Sequence, residues 1–380
     1  MAEYIGQDVT VYYIHGCSGN DGNSGTANHF GSTGAWQTIQ KAFDVLDAET
    51  DNTAFDGTEF HIMKTTDDSL YYRPLTTLHG EWDSHEVSFH GTNATGDVDG
   101  TIVEIHGGSA GATAIMYINE PAGNADYVVF SHLKFDGEDT STYCVDMIRT
   151  NPSGSVIDMD YVNCQFMQAT SHGVYTNNDP IYSNYINCRF NDNGGSGLNQ
   201  TSSNFAMIYK CLFDNNGDDG ANIGGFPRVS ECIFYNNGDD GAVISGNGQV
   251  ITNCVFDSNG GIGLWVTGTR QGFDINCIYS NNGGAGIHYD DEQTHTSFNQ
   301  AFYNNGSTMA HPGSDDRTTS YNYVEGTIGY VDPSNFDFTP SSTTSVVKGA
   351  GMNAPYQWFG SSADDIGLNK WVKTETTSIF

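Results

Sequence analysis

The acidic residues with a chemical spacing sit in two near-identical heptads. Asn215-Asn-Gly-Asp-Asp-Gly-Ala221 recurs as Asn236-Asn-Gly-Asp-Asp-Gly-Ala242, so Asp218 and Asp219 return 21 residues later as Asp239 and Asp240. If one lap of a coil separates the copies, four carboxylates stand about 5–7 Å apart and repel one another. Such a group could hold a hard cation through oxygen ligands, Ca²⁺ being the cofactor that fits. It could also supply the acid and the nucleophile or base of glycoside cleavage, where carboxyl separation decides the stereochemistry. The plain alternative is turn chemistry, because Asp-Gly and Asn-Gly favour tight turns with solvated side chains. His172, just before Gly173, falls in the same column as Ser196, Asp219 and Asp240. The candidate catalytic set is therefore Asp218, Asp219, Asp239, Asp240 and His172, with the four Asp also the candidate metal ligands.

Two further columns carry chemistry. After each recurrent Gly, alternation points one residue inward and the next outward. The outward set is Tyr175, Asn199, Asn222, Val243, Trp265 and His288. Aromatic rings suit sugar faces and amides suit hydroxyls, so Tyr175, Asn199, Asn222, Trp265 and His288 are expected to contact a glycan. The second column is Gln165, Arg189, Leu212, Ile233, Val255 and Ile278. Four consecutive aliphatics should not face water. Leu212, Ile233, Val255 and Ile278 are expected to be covered, as an interface of a homo-oligomer (a trimer) or by the chain's own tail.

These columns exist only if the chain winds regularly, and the repeat says that it does. Cys-x-aromatic steps fall at Cys164/Phe166, Cys188/Phe190, Cys211/Phe213, Cys232/Phe234, Cys254/Phe256 and Cys277/Tyr279, with Gln300/Phe302 continuing without the thiol. Successive spacings are 24, 23, 21, 22, 23 and 23 residues. A fixed period of this size means a solenoid, and it is too short for a βαβ unit of about 30 residues or more. Cys and the aromatic, two apart, share a strand face. The residue two before each Cys, from Val162 to Ile275, is expected on that face as well. An Asn follows three residues after each aromatic from Phe190 onward: Asn193, Asn216, Asn237, Asn259, Asn282 and Asn305. One lap of a parallel β-helix stacks like on like, so thiol, ring and amide columns follow. A stacked amide can satisfy buried turn backbone.

Composition narrows the partners. The chain has 380 residues, 13 Lys+Arg against 46 Asp+Glu, and a formal charge of −33. That excludes nucleic acid and anionic membranes, and suits either simple solubility or a salty medium. No apolar run approaches 18 residues, so no membrane insertion is expected. Met1 to Asp8 lacks a basic segment followed by an apolar one, so no Sec-type leader is expected in this chain. Six of the eight Cys belong to the column and are expected to be free, because parallel side-chain vectors make a disulfide dihedral awkward.

In chain order, Val9 to Ile14 reads as a strand, a Gly/Ser/Asn-rich loop follows, and Trp36, Ile39, Phe43 and Leu46 have helical spacing. That helix could close an open solenoid end. The run VYYIHGCSGNDGNSG with GAWQTIQKAF resembles the opening of pectate-lyase-like right-handed β-helix proteins, and Asp364-Asp-Ile-Gly-Leu368 resembles their close. The resemblance implies an all-β right-handed parallel β-helix. It divides into a strand, loop and capping helix over 1–57, the coil over 58–306, and a C-terminal cap or tail over 307–380. Ser171-His-Gly173 with Gly217-Asp-Asp219 is similar to pieces of the polygalacturonase group, in reversed order and without the closing Arg-x-Lys. A lyase of this fold would need a basic residue near acidic ligands, and Arg189 and Arg228 are the nearest.

Taken together, the expectation is an extracellular virion-surface spike or decoration protein. Its partners would be itself, other virion proteins and a host-surface polysaccharide. The alternatives are a polysaccharide depolymerase, hydrolase or lyase, acting at the Asp patch, and a secreted adhesin.

Overall fold

The computed structural model describes residues 10–16, 19–26, 34–47, 57–64, 75–78, 86–107, 113–120, 127–149, 157–177, 181–201, 205–246, 248–267, 272–290, 295–310, 319–321, 324–325 and 330–340. Cys17, Asp364 to Leu368, Trp358, Trp371 and Phe380 lie outside them. The chain forms two compact units, 1–170 with 177–183 and 375–380, and 171–176 with 184–374.

In the first unit every lap is irregular. Its first sheet runs in parallel through 11–14, 58–63, 86–92, 127–131 and 157–162. A second holds 103–106, 133–136 and 165–167, and a third holds 75–78, 114–120 and 143–149. Inside, Phe60, Phe89, Phe130 and Tyr161 stack at 4.7–5.4 Å. The helix Ile39–Asp47 packs Phe43 edge-on against Phe89. Its start is fixed by Thr38, whose hydroxyl accepts from Lys41 N–H, and by Asp21, which accepts from Gln37 and Thr38 N–H.

The second unit carries the regular repeat, and each lap crosses three parallel sheets. The first sheet holds 205–209, 228–230, 250–252, 272–275, 295–298 and 319–321. The second holds 189–191, 212–214, 233–235, 255–257, 278–280, 301–303 and 324–325. The third holds 174–177, 198–200, 221–223, 242–244, 264–266, 285–289 and 307–310. Strand pairing thus continues past residue 306, where the sequence period fails.

Three interior columns hold the laps in register. Phe190, Phe213, Phe234, Phe256, Tyr279 and Phe302 stack at 4.6–5.1 Å with planes within 15°. All but Phe302, at 2%, are fully buried, each contributing about 2–3 kcal/mol. The thiols are free and buried. Cys211 Sγ accepts from Cys188 N–H at 3.4 Å and donates to Tyr185 C=O at 3.3 Å. Gln300 takes over this role where the thiols end, accepting from Cys277 N–H at 3.0 Å and donating to Asp274 C=O at 2.8 Å. In the amide column, Nδ2 of each Asn from 193 to 282 donates to Oδ1 of the next at 2.8–2.9 Å.

The corners were not visible in the repeat. The residue before each Cys (Asn163, Asn187, Lys210, Glu231, Asn253, Asn276, Asn299) has φ of 51–56°. This left-handed residue breaks the strand alternation. The inward residue is therefore three before the Cys, not two: Tyr161, Tyr185, Ile208, Val229, Ile251 and Asp274 are 0–2% exposed. Of the residues two before the Cys, Val162, Ile186, Tyr209 and Ser230 are only half-buried, whereas Thr252 and Ile275 are buried at 8% and 6%.

The aliphatic stripe is covered within the chain. Leu212, Ile233, Val255 and Ile278 are all 0% exposed within the single chain, so they present no interface to a second copy. Strands 330–332 and 337–340 form an antiparallel hairpin against the outer face of this second sheet. Phe336 lies 5.1 Å from the Arg189 guanidinium, Phe338 packs edge-on to Tyr235, and the Tyr330 hydroxyl meets Ser280 Oγ at 2.7 Å. A sheet capped by its own hairpin has its apolar surface already removed from water.

Candidate functional site

The acidic patch is built at the turn that feeds the third sheet of the second unit. Here the laps align Gly195-Ser196, Asp218-Asp219, Asp239-Asp240 and Gly261-Ile262, joined by Asp218 N–H to Gly195 C=O, Asp239 N–H to Asp218 C=O and Gly261 N–H to Asp239 C=O. Asp218 and Asp239 are exposed, whereas Asp219 and Asp240 are 8% and 4% exposed. The buried pair has a backbone duty. Asp219 Oδ1 accepts from Asp240 N–H at 3.2 Å, and Asp240 Oδ1 from Ile262 N–H at 2.6 Å. His172 does the same two laps earlier, its Nδ1 accepting from Ser196 N–H at 3.0 Å. That bond places the ring proton on Nε2, which is 3.3 Å from the Asn199 side-chain amide.

Burial, reinforced by Asp218, pushes the Asp219 carboxyl up to about 7. Burial, reinforced by Asp239, pushes Asp240 up to about 6 against the opposing bond from Ile262 N–H. Burial holds His172 below its ordinary value, although Asp218 pulls the other way. Single oxygens of Asp218, Asp219 and Asp239 lie within 4.8 Å of one another. An all-oxygen set of this size fits a hard cation. Gly261 keeps the next lap clear, since a Cβ there would meet Asp240 Oδ1 at 2.3 Å and Asp239 Oδ1 at 2.4 Å.

The outward column forms as one line. Tyr175, Asn199, Asn222, Val243, Trp265 and His288 are successive register partners on the third sheet. All six are half-buried. At its ends the rings are braced: Tyr175 stacks on His172 at 5.6 Å, and Trp265 Nε1 donates to Asp290 at 3.0 Å. His288 Nε2 lies 3.2 Å from the same carboxylate. Asp291 and Glu292 lie outside the described residues. Arg189 is committed elsewhere, in a two-pronged pair with Asp214 on the second sheet. Arg228 is exposed on the first sheet. Neither supplies a base to the acidic patch.

Two clusters in the first unit escaped sequence reasoning. On its second sheet Lys134 Nζ lies 2.9 Å from Glu104 and 3.1 Å from Asp136, with His106 between Glu104 and Glu138. Glu104, His106 and Asp136 also lie within 4.8 Å of one another, but the Lys134 ammonium already pairs with both carboxylates. On the first sheet His61, His90 and His132 share a network. Ser131 Oγ is 2.6 Å from His90 Nδ1 and 3.1 Å from His132 Nδ1, and His61 Nε2 pairs with Glu59 at 2.8 Å. Glu104-x-His106 and Lys134-x-Asp136 are alternating outward pairs, a signal that uneven lap lengths of this region conceal.

The fold is a right-handed parallel β-helix. Residues 148–276 match the family described as the right handed beta helix region. Among solved structures the chain is similar to Geobacillus virus E2 ORF18, with 14% identity and a TM-score of 0.51, over 76% of this chain and 58% of that one. It spans little more than half of that protein. It is also similar to the pectate lyase Pel9A, with 15% identity and a TM-score of 0.46 over 94% and 95% of the two chains. A third likeness is the Azotobacter vinelandii mannuronan C-5 epimerase AlgE4 A-module, with 12% identity and a TM-score of 0.45 over 76% and 90%. At these identities the likeness is one of fold. No curated protein sequence matches the chain. Among the described residues no helix is long and apolar enough to cross a membrane.

Proposed function

We propose that the protein is a glycan-binding β-helix whose third sheet in the second unit is the binding face. The observation that carries the reading is the single outward line from Tyr175 to His288, half-buried and in register on six consecutive laps. One lap advances about 4.8 Å, so rings and amides recur at a spacing that a sugar chain laid along the axis can follow. The exposed carboxylates of Asp218 and Asp239 flank the line beside Asn222 and Val243. A virion surface contacting a host polysaccharide is the setting this reading favours. A homotrimer would have to use a surface other than the stripe under the hairpin. The test is a glycan array with the intact protein and with Trp265→Ala and Asn222→Ala. Binding lost in both variants, with unchanged circular dichroism, supports the face. Retained binding removes it.

One observation favours a second reading, the depolymerase. Asp219, pushed up to about 7, is a carboxyl suited to donate a proton near neutrality, and Asp218 and Asp239 stand within 4.8 Å of it. That separation approaches the about 5–5.5 Å of retaining glycosidases. Against it, Asp219 and Asp240 already accept backbone N–H groups. Ca²⁺ at Asp218, Asp219 and Asp239 would screen the same carboxylates. Release of reducing ends that disappears in Asp218→Asn/Asp239→Asn would establish the enzyme. Absence of release from any bound glycan would remove it.

A further inference from the structure

We infer that this face takes neutral polysaccharides and rejects polyuronates, an inference that rests on the glycan-binding reading above. The argument is where the cations are. Between Ser171 and Ala310 the sequence holds four: Arg189, Lys210, Arg228 and Arg270. Arg189 is on the second sheet, held by Asp214 at 2.7 Å and lying 5.1 Å from Phe336. Lys210 is at the corner between the first and second sheets, 3.7 Å from Glu231. Arg228 is on the outer face of the first sheet, in register with Met207 and Val250. Arg270 lies outside the described residues. Among the described residues, then, the third sheet of this unit offers a sugar chain no Lys or Arg.

What it offers instead is negative or neutral. The line itself is Tyr, Asn, Asn, Val, Trp and His, and the His288 imidazole is already beside Asp290 at 3.2 Å. Asp218 and Asp239 project from the turn that opens the strands carrying Asn222 and Val243, each four residues upstream of its partner in the line. A uronate on every sugar would bring a carboxylate to each lap, and on the laps of Asn222 and Val243 it would meet the exposed Asp218 and Asp239. Among the described residues no Lys or Arg stands on this face to pair with it. Like charges at that range oppose association, and the net charge of −33 gives the approach the same sign. A neutral chain meets no such barrier. Its ring faces find Tyr175 and Trp265, and its hydroxyls find Asn199 and Asn222.

The experiment is titration calorimetry of the full chain with two sets of oligosaccharides of matched length, neutral (glucan, mannan, galactan) and uronic (galacturonate, mannuronate), in EDTA at low salt. The expected result is binding of at least one neutral oligosaccharide, lost in Trp265→Ala and Asn222→Ala. Uronates should bind about tenfold more weakly or worse. Val243→Lys, which places one cation in the line, should recover uronate binding by about the same factor. Uronate binding in EDTA equal to the neutral set and lost in Trp265→Ala overturns the inference while leaving the binding face intact. So does uronate binding that appears only with added Ca²⁺ and vanishes in Asp218→Asn/Asp239→Asn. If neither set binds, or binding ignores Trp265 and Asn222 alike, the binding face itself falls and the inference with it.

Discussion

The second unit contains two turn columns only a few residues apart, and they solve stacking in opposite ways. In the Asn column each Nδ2 from Asn216 to Asn282 donates twice, for example Asn237 to Asn259 Oδ1 and to Phe213 C=O. Each Oδ1 from Asn216 to Asn305 accepts twice, so that of Asn237 takes Asn216 Nδ2 and Asn216 N–H. An amide is its own complement, so the column can run from Asn193 to Asn305 without a misfit. A carboxylate only accepts. In the Asp columns each buried oxygen finds a backbone N–H, but its neighbours are further carboxylates, and the column stops after two laps at Gly261 and Ile262. Self-complementary groups can repeat indefinitely in a solenoid, while like charges can be afforded only briefly and at the surface.

Exchanging the two chemistries should break this contrast. Asn237→Asp removes two donors from a fully packed amide and sets lone pairs against lone pairs, so stability should fall by about 4 kcal/mol or more. The urea midpoint reads this directly, and a loss below about 1 kcal/mol would mean the amide column is ornamental. The reverse exchange, Asp219→Asn, keeps the acceptor for Asp240 N–H and deletes the desolvated charge. Because the folded carboxyl is raised to about 7 from an ordinary value of about 3.9, the charge opposes folding at pH 8. That opposition fades as pH falls from 7 towards 4. Asp219→Asn should therefore stabilise by about 2–4 kcal/mol at pH 8 and by almost nothing below pH 4. A pH-independent difference would refute the assignment.

The first unit should respond to acid with the opposite sign. Burial, with His61 and His132 adding to it and Glu59 opposing, holds His90 down at about 4. Its neutral form therefore supports folding above pH 6.5, and that support is lost as pH falls from 6.5 to 4, by about 2–3 kcal/mol. Hydrogen exchange, read separately on the two units, should show the first loosening over this window. His90→Gln should flatten the trend. The smallest expected effect sharpens the end of the acidic column. Gly261→Ala places a methyl against Asp239 and Asp240, and should cost about 1–2 kcal/mol and weaken any Ca²⁺ binding measured by calorimetry.

The regular laps were legible because period two and a spacing near 22 residues are both written in the sequence. Thiol, ring and amide columns all follow from them. What the pattern concealed was the single left-handed residue before each Cys, since Asn, Lys and Glu occupy it in turn. That one residue moved the inward position from Val162 to Tyr161. The Asp pairs were legible as neighbours, but the backbone acceptor role of Asp219, Asp240 and His172 depends on which oxygen or nitrogen faces the next lap. The covering of Leu212 to Ile278 was expected in kind, yet only contacts of Phe336 and Phe338 show that the cover is the chain's own hairpin. The His61, His90 and His132 network was illegible because the laps that align it are 29 and 41 or so residues long, as His61↔His90 and His90↔Ser131 show.

Because each Asn from 193 to 305 bonds only to the lap on either side, no lap in that run knows its ordinal place. A duplication or deletion of one whole unit of sequence between Cys188 and Cys254 would join matching ends in the amide column, and would be felt instead by the hairpin that rests on Arg189, Tyr235 and Ser280. The amide ladder by itself thus sets no length, and what counts the laps is the hairpin laid across them.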